Sequence, residues 1–276
     1  MRMTRQQYDL GLADKSFLVI GVGGGIGQST VAALAEAGAD VAVPDIDRAA
    51  IDVGVGRVED LGRKAFAREV DVMDEDSLGS LVAEADRALD GLDGLVTVVG
   101  GGGGWGSILD TSTEEWDRSY RHNLRYFFVA ARDVARSLVV RRSPGSIVGV
   151  SSIDGFRATG YHAGYGAFKA GMIHLVKTLA SELGPCGIRA NSVAPGSTIT
   201  PGTPDLGDAD IRPGIIPLRR RGEAVDVART IRFLLSDHGH YITGQTVAVD
   251  GGATAIGPFA YGVDPREHVL GVTPGL

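Results

Sequence analysis

Gly21-Val22-Gly23-Gly24-Gly25-Ile26-Gly27 follows the short apolar run Ser16 to Ile20 and leads into Ile26 to Ala37, a stretch rich in Ala, Leu and Glu. β-Branched residues before the glycines and strong helix formers after them give the order strand, turn, helix. Gly38 ends the helix, as a residue without a Cβ does where the backbone turns left-handed. Asp40 to Val43 is a second β-branched run, stopped by Pro44, so the first 45 residues make one βαβ unit. Glycines at such a turn let the backbone approach a pyrophosphate, and the helix N-terminus beginning near Gly25 favours its charge. Asp45, at the end of the second run, is placed to bond the ribose hydroxyls of an adenosine. Its carboxylate repels a 2′-phosphate, so NAD is expected over NADP, with Arg48 the one nearby base that argues the other way. In the alternative reading the glycines only make a tight turn and Asp45 caps a helix starting near Asp47.

The same rhythm continues outward. Ala65 to Val70, Leu92 to Val99, Ser146 to Val150, Ile188 to Val193 and Thr246 to Val249 are apolar runs of the kind a parallel sheet buries on both faces. Between them, Asp47 to Gly62, Asp74 to Leu89, Thr113 to Val140, Ala163 to Leu183 and Glu223 to Leu235 are long enough to be crossover helices. The expected fold class is α/β, a doubly wound parallel sheet of seven strands with helices on both faces. No composition shift or fixed-period repeat divides the chain, so residues 1–276 read as a single domain with a core at about 12–252. Two segments break the rhythm: a Pro- and Gly-rich loop at about 197–220 and the tail 253–276. Both read as loops near a ligand or a partner subunit.

Composition narrows the function classes. Of 276 residues 43% are hydrophobic, and a net charge of −7 is modest, which excludes disorder for the bulk of the chain. The 34 acidic against 27 basic residues leave no electrostatic footprint for a nucleic-acid backbone. Arg219-Arg220-Arg221 is the densest basic cluster, either a solvated loop-to-helix junction or a grip on a phosphate. Cys186 is the single cysteine, so intramolecular disulfides and two-cysteine metal sites are excluded and a reducing compartment suits the chain. With no signal peptide and no 18-residue apolar span in view, the expectation is a cytoplasmic protein with no membrane partner and no metal.

Tyr165 and Lys169 stand four apart, on one face of a helix, where a cation favours the phenolate and lowers the tyrosine pKa. Such a pair is common as a helix-surface contact; position gives it weight. Ser151 and Ser152 end the strand Ser146 to Val150, at the carboxyl edge where open α/β sheets bind ligands. A hydroxyl there can bond a substrate carbonyl oxygen. His122 adjoins Asn123, His162 precedes the tyrosine helix, and His238 and His240 flank Gly239; none makes a metal or acid–base set on its own.

Gly21-x-x-x-Gly25-Ile26-Gly27, then Asn123, Ser152, Tyr165 and Lys169 in this order resemble the short-chain dehydrogenase/reductase family, from about Leu12 to Gly252. Asp71-Val72, Asn191-Ser192-Val193-Ala194-Pro195-Gly196, Thr200, Gly244-Gln245 and Asp250-Gly251-Gly252 extend the match. The resemblance implies a Rossmann-fold, NAD(P)-dependent alcohol dehydrogenase or ketoreductase acting on a small molecule. It implies Asn123, Ser152, Tyr165 and Lys169 as a catalytic tetrad, the family's spacing of thirteen residues before the tyrosine selecting Ser152 over Ser151. By the same resemblance Asp71 and Val72 contact the adenine, Pro195, Gly196 and Thr198 the nicotinamide, Thr200 its carboxamide, and Lys169 its ribose. Tyr165 and Gly100 also lie at the cofactor. Tyr165 as phenolate would take the hydroxyl proton of an alcohol; a free phenol has a pKa of ~10, so it must be stabilised by roughly 4 kcal/mol to act near neutrality. Ser152 would hold the reacting oxygen, and Asn123 a water linking Lys169 to solvent.

Two positions depart from the family pattern: Ile20 stands where a threonine is usual, and Thr97-Val98-Val99-Gly100 where Asn-Asn-Ala-Gly is usual. Losing both polar groups together is a coordinated swap that leaves no buried partner unpaired. Gly101 to Gly104 and Trp105 follow, a flexible run and an aromatic that either walls the substrate site or packs as core. Ile211, Ile215, Ile216 and Leu218, with Trp105 and Phe156 opposite, suggest an apolar pocket, hence a steroid, terpenoid or 3-hydroxyacyl substrate ahead of a sugar or polyol. The resemblance further implies a homo-oligomer, tetramer or dimer, joined through Thr113 to Val140 and Ala163 to Leu183. A dinucleotide-sensing module without catalysis is the rival from another class.

Overall fold

The protein is described from a computed structural model that covers residues 10–101, 106–201 and 215–255. In chain order the elements are β1 (Ser16–Ile20), α1 (Ile26–Glu36), β2 (Asp40–Ala42), α2 (Arg48–Glu59), β3 (Ala65–Phe66), α3 (Glu75–Ala88), β4 (Gly94–Thr97), α4 (Thr113–Tyr120), α5 (Tyr126–Arg141), β5 (Gly145–Val150), α6 (Ala163–Leu183), β6 (Ile188–Pro195), β7 (Thr198–Ile199), β8 (Gly222–Glu223), α7 (Ala224–Leu235) and β9 (Thr246–Val249). Seven strands form one sheet in the order β3-β2-β1-β4-β5-β6-β9, every pairing parallel. The order reverses between β1 and β4, which opens a crevice at their carboxyl ends.

Alternation along β1 shows how the sheet is covered. Leu18 and Ile20 face a core completed by Leu78 and Leu81 of α3, Tyr126, Phe127 and Val134 of α5, and Met172 and Val176 of α6. Phe17 and Val19 face the opposite core, with Val31 and Leu34 of α1, Ile51 and Val58 of α2, and Val227 and Ile231 of α7. Both faces of β1 are dry, so its near-continuous apolar sequence is what this position demands.

Three expectations are corrected. The long crossover Thr113 to Val140 is two α-helices joined by a π-helical turn, Arg121–Arg125. The third strand is two residues long, with an isolated parallel bridge from Asp45 to Glu69 beyond it. At the start of the Pro- and Gly-rich segment, β7 pairs with β8 just beyond its end in a small parallel ladder, and the Gly222 N–H donates to the Ser197 carbonyl at 2.9 Å. Residues 102–105, including Trp105, together with Ile211 and the tail from residue 256, lie outside the described residues. Among the described residues, no helix is long and apolar enough to cross a membrane.

Candidate active site

At the carboxyl ends of β1, β2 and β4 lies a cleft of about 310 Å³, lined by Gly21, Gly23, Gly24, Asp45, Asp71, Val72 and Gly100, with Ile20, Ile46, Val70, Val98, Val99 and His122. The glycines are there for space. A Cβ on Gly27 would overlap the carbonyl oxygen of Gly21, so α1 starts hard against the end of β1. At Gly25, φ is +49°, and a Cβ would stand 2.5 Å from Thr200 Cγ2. Thr200, after β7, thus closes onto the glycine turn. A Cβ on Gly23 would meet the Asp45 carboxylate at 3.4 Å, so the acidic group and the bare turn face each other across the cleft. This cradle of backbone, helix N-terminus and carboxylate fits a dinucleotide.

Asp45 does not cap α2; Asp47 does, accepting from the Ala49 N–H at 2.9 Å. Asp45 Oδ1 accepts from the Asp47 N–H at 3.0 Å, which orients the carboxylate. Arg48 turns to Asp52 at 2.9 Å on its own helix. Asp71 accepts from the Met73 N–H at 2.8 Å, shaping the turn that carries Val72. Ile20 pairs with Thr97 across β1 and β4 and is packed in the core, and the Tyr126 hydroxyl donates to the Val99 carbonyl at 2.5 Å. The Val98 N–H donates to the Ile20 carbonyl at 2.8 Å and so ties the two strands where the polar pair is missing, but the buried Thr97 hydroxyl has no hydrogen-bond partner among the described residues, so the swap does leave one polar atom unpaired.

Beside the cleft four side chains converge. The π turn places Asn123, fully buried, so that its amide donates to the Ser119 and Gly101 carbonyls at 3.0 and 3.1 Å and its oxygen accepts from the Gly101 N–H at 3.2 Å. Lys169, 1% exposed, donates to the Val150 carbonyl at 2.9 Å, and its Nζ lies 5.5 Å from the centre of the Tyr165 ring. A Cβ on Gly100 would come within 2.7 Å of Lys169 Nζ and 3.5 Å of Asn123 Oδ1, so Gly100 roofs the pair. The Ser152 hydroxyl accepts from the Asp154 N–H at 3.1 Å and stands near enough to the Tyr165 phenol to favour its ionised form. Ser151 is spent elsewhere, its hydroxyl donating to the Val193 carbonyl at 3.0 Å between β5 and β6.

The electrostatics correct one expectation. Tyr165 is pushed above the ordinary tyrosine value, first by burial and further by the Asp154 charge, with the nearby Ser152 hydroxyl acting the other way. Burial also pulls Lys169 down to about 7, so in the ligand-free protein its cation is too weakly held to make the phenol acidic.

Past β6, the Gly196 N–H donates to the Val249 carbonyl at 3.0 Å and its carbonyl accepts from Thr198 Oγ1 at 3.1 Å, which holds the Pro195-Gly196 turn at the mouth of the crevice. Arg220 pairs with Asp226 at 2.7 Å and Arg221 donates to Ser197 Oγ at 3.1 Å, so two members of the basic cluster anchor the loop. Ile216 is buried beneath Gly251, unlike exposed Ile215, Leu218 and Phe156. His238 and His240 sit in the turn after α7, His240 bonding the Asp237 carbonyl at 2.8 Å.

One arrangement had no sequence reading. His162 lies parallel to the Tyr165 ring, centroids 4.4 Å apart at 14°, and its Nδ1 is 3.0 Å from Asp154 Oδ2. His162 was read only as preceding the tyrosine helix, and Asp154, two residues after Ser152, carried no reading.

The sequence model of the family described as enoyl-(acyl carrier protein) reductase matches residues 21–254. A short-chain dehydrogenase/reductase of Hericium erinaceus is 34% identical over 247 residues, 85% of this chain and 96% of the relative. A 3-oxoacyl-[acyl-carrier-protein] reductase of Thermotoga maritima is 35% identical over 243 residues, 87% of this chain and 98% of the relative. Among solved structures, a 7α-hydroxysteroid dehydrogenase complexed with NADH and 7-oxo glycochenodeoxycholic acid superposes with a TM-score of 0.84 at 31% identity, covering 91% of this chain and 98% of that one.

Proposed function

The chain belongs to the short-chain dehydrogenase/reductase family of oxidoreductases, which bind a nicotinamide dinucleotide, and on that premise we propose that it interconverts a secondary alcohol and a ketone with NAD. The observation that carries this reading is the convergence of Asn123, Ser152, Tyr165 and Lys169 beside the glycine-lined cleft. Tyr165 gives a proton to the ketone oxygen in reduction and takes one from the hydroxyl in oxidation. Ser152, beside the phenol, holds that oxygen and stabilises its developing charge. Lys169, set between the Val150 carbonyl and the Tyr165 ring, is placed to bring positive charge to the phenol when it is protonated, and Asn123 fixes the Gly101 backbone over it. The nicotinamide, when bound, supplies the hydride chemistry and, oxidised, the further positive charge that the phenolate needs.

For the dinucleotide we assign Gly21, Gly25, Ile26 and Gly27 to the pyrophosphate, Asp45 to the adenosine ribose, and Asp71 and Val72 to the adenine. Gly100, Pro195, Gly196, Thr198 and Thr200 surround the nicotinamide. NAD is favoured over NADP because Asp45 faces the glycine turn while Arg48 is held by Asp52. An apolar substrate is supported by exposed Phe156, Ile215 and Leu218 and by relatives named for 3-oxoacyl and steroid chemistry. A dimer or tetramer is supported by exposed Phe128 and Val140 on α5 and Trp116 on α4.

The test pairs NADH binding, followed by fluorescence, with turnover on acetoacetyl-CoA, a steroid ketone and a polyol, in wild type and Tyr165→Phe. The expected outcome is unchanged NADH binding and a loss of at least about 10²-fold in turnover in the variant. A Phe variant that still turns over removes Tyr165 from the chemistry. Tight NADH binding with no turnover on any class favours a sensing module.

A further inference from the structure

The Asp154–His162 arrangement goes beyond the four converging side chains. Asp154 sits in the 3₁₀ turn Ile153–Gly155, which Ser152 caps through the Asp154 N–H. Its Oδ2 holds His162 Nδ1 at 3.0 Å and its Oδ1 accepts from Thr159 Oγ1 at 2.7 Å, so both oxygens are engaged and the carboxylate cannot swing. Only 15% of the Asp154 side chain and 13% of the His162 side chain are exposed, so solvent screens the contact little. His162 leads into α6 and carries no helix cap with its side chain. The ring is instead committed to the phenol, parallel at 4.4 Å. A ring pinned at one edge and stacked on its face restricts the tilt of Tyr165, and Ser152, the cap of the turn that carries Asp154, stands beside the phenol.

We propose that Asp154 and His162 form a positioning pair for Tyr165: the carboxylate fixes the imidazole, and the imidazole covers one face of the phenol and keeps it aligned on Ser152. The pair acts through Tyr165 and so rests on the reading of that residue as the acid and base. The charged and titratable groups that face it are few. Asp154 lies on the turn after β5 and Lys169 one helical turn past Tyr165 on α6. Asp110, Glu115 and Tyr161 share with His162 a cavity of about 210 Å³ that reaches Tyr165. Glu115 is committed to the Ser112 backbone at 2.9 Å, and Asp154 is bonded to the imidazole.

The experiment needs no substrate. Ultraviolet difference titration of tyrosinate, each protein minus the same protein carrying Tyr165→Phe, isolates one phenol among seven tyrosines. Thermal stability and NADH binding are recorded beside it. His162→Ala uncovers the ring, and its titration is expected to fall by roughly one pH unit, a tenfold change in proton affinity. His162→Phe keeps a flat cover but loses the Asp154 bond, and should recover only part of the wild-type value. Asp154→Asn keeps a hydrogen-bond acceptor but loses the charge, and should also titrate lower, with NADH binding unchanged. A His162→Ala titration that matches wild type, or a Phe variant that behaves like the Ala variant, overturns the proposal. Loss of turnover in Tyr165→Phe tests the underlying assignment separately, so the two readings fail in different assays.

Discussion

Lys169 illustrates how far burial governs a single residue. Its ordinary value is 10.5, and the fold pulls it down to about 7. Between those values the unfolded chain holds a proton that the folded protein has lost, so stability rises with pH across the window and is lowest below 7. Urea unfolding of the ligand-free protein from about pH 7 to about pH 9.5 should therefore show a positive slope, at most about 1.4 kcal/mol per pH unit, that Lys169→Met lacks. Equal slopes in the two proteins would mean that the lysine stays charged in the fold. Asp45 permits a second residue-scale test. Asp45→Ala combined with Ile46→Arg removes the carboxylate opposite the glycine turn and adds a base at an exposed position. It should lose NADH binding by at least tenfold and gain NADPH, read by fluorescence titration; unchanged preference would place the discriminating group elsewhere.

At the scale of elements, the closeness of α1 to β1 makes Gly27 the most intolerant position of the turn. Gly27→Ala puts a methyl against the Gly21 carbonyl and the Val22 Cα, both backbone atoms that cannot rotate away. A loss of at least about 2 kcal/mol in unfolding free energy is expected, together with weaker NADH binding. The main strands and α1, α2, α3, α6 and α7 were legible because each carries its own apolar period or its own cap, as Asp47 and Asp74 do. What was not legible depends on partners far along the chain. The period of Thr113 to Val140 does not reveal that Asn123 sits in a π turn, which serves bonds to Ser119 and Gly101 rather than helix packing. β7 and β8 are two residues each, and only their pairing makes them strands. The four converging residues were legible only through the family resemblance that their order carries, whereas Tyr165's raised value follows from burial that no spacing shows.

For the whole molecule, the crevice between β1 and β4 couples ligand to stability. A dinucleotide that binds the folded state alone adds about 2.7 kcal/mol at a hundred times its Kd. Differential scanning calorimetry should show a rise in Tm with NADH that the Gly27→Ala protein does not share, and an unmoved wild-type Tm would argue against the cleft as its site. Among the described residues, none of the strands of the sheet, its two main cores or the four converging side chains comes from the stretch 201–221, which excludes Thr200, and its flanks are pinned to each other by the β7–β8 ladder. Such pinning makes the stretch an interchangeable cartridge. Doubling the length of a closed excursion costs only about 0.6 kcal/mol, so replacing it leaves the scaffold nearly indifferent. Lineages that carry this scaffold can therefore trial new substrates by exchanging one insert while inheriting the chemistry intact.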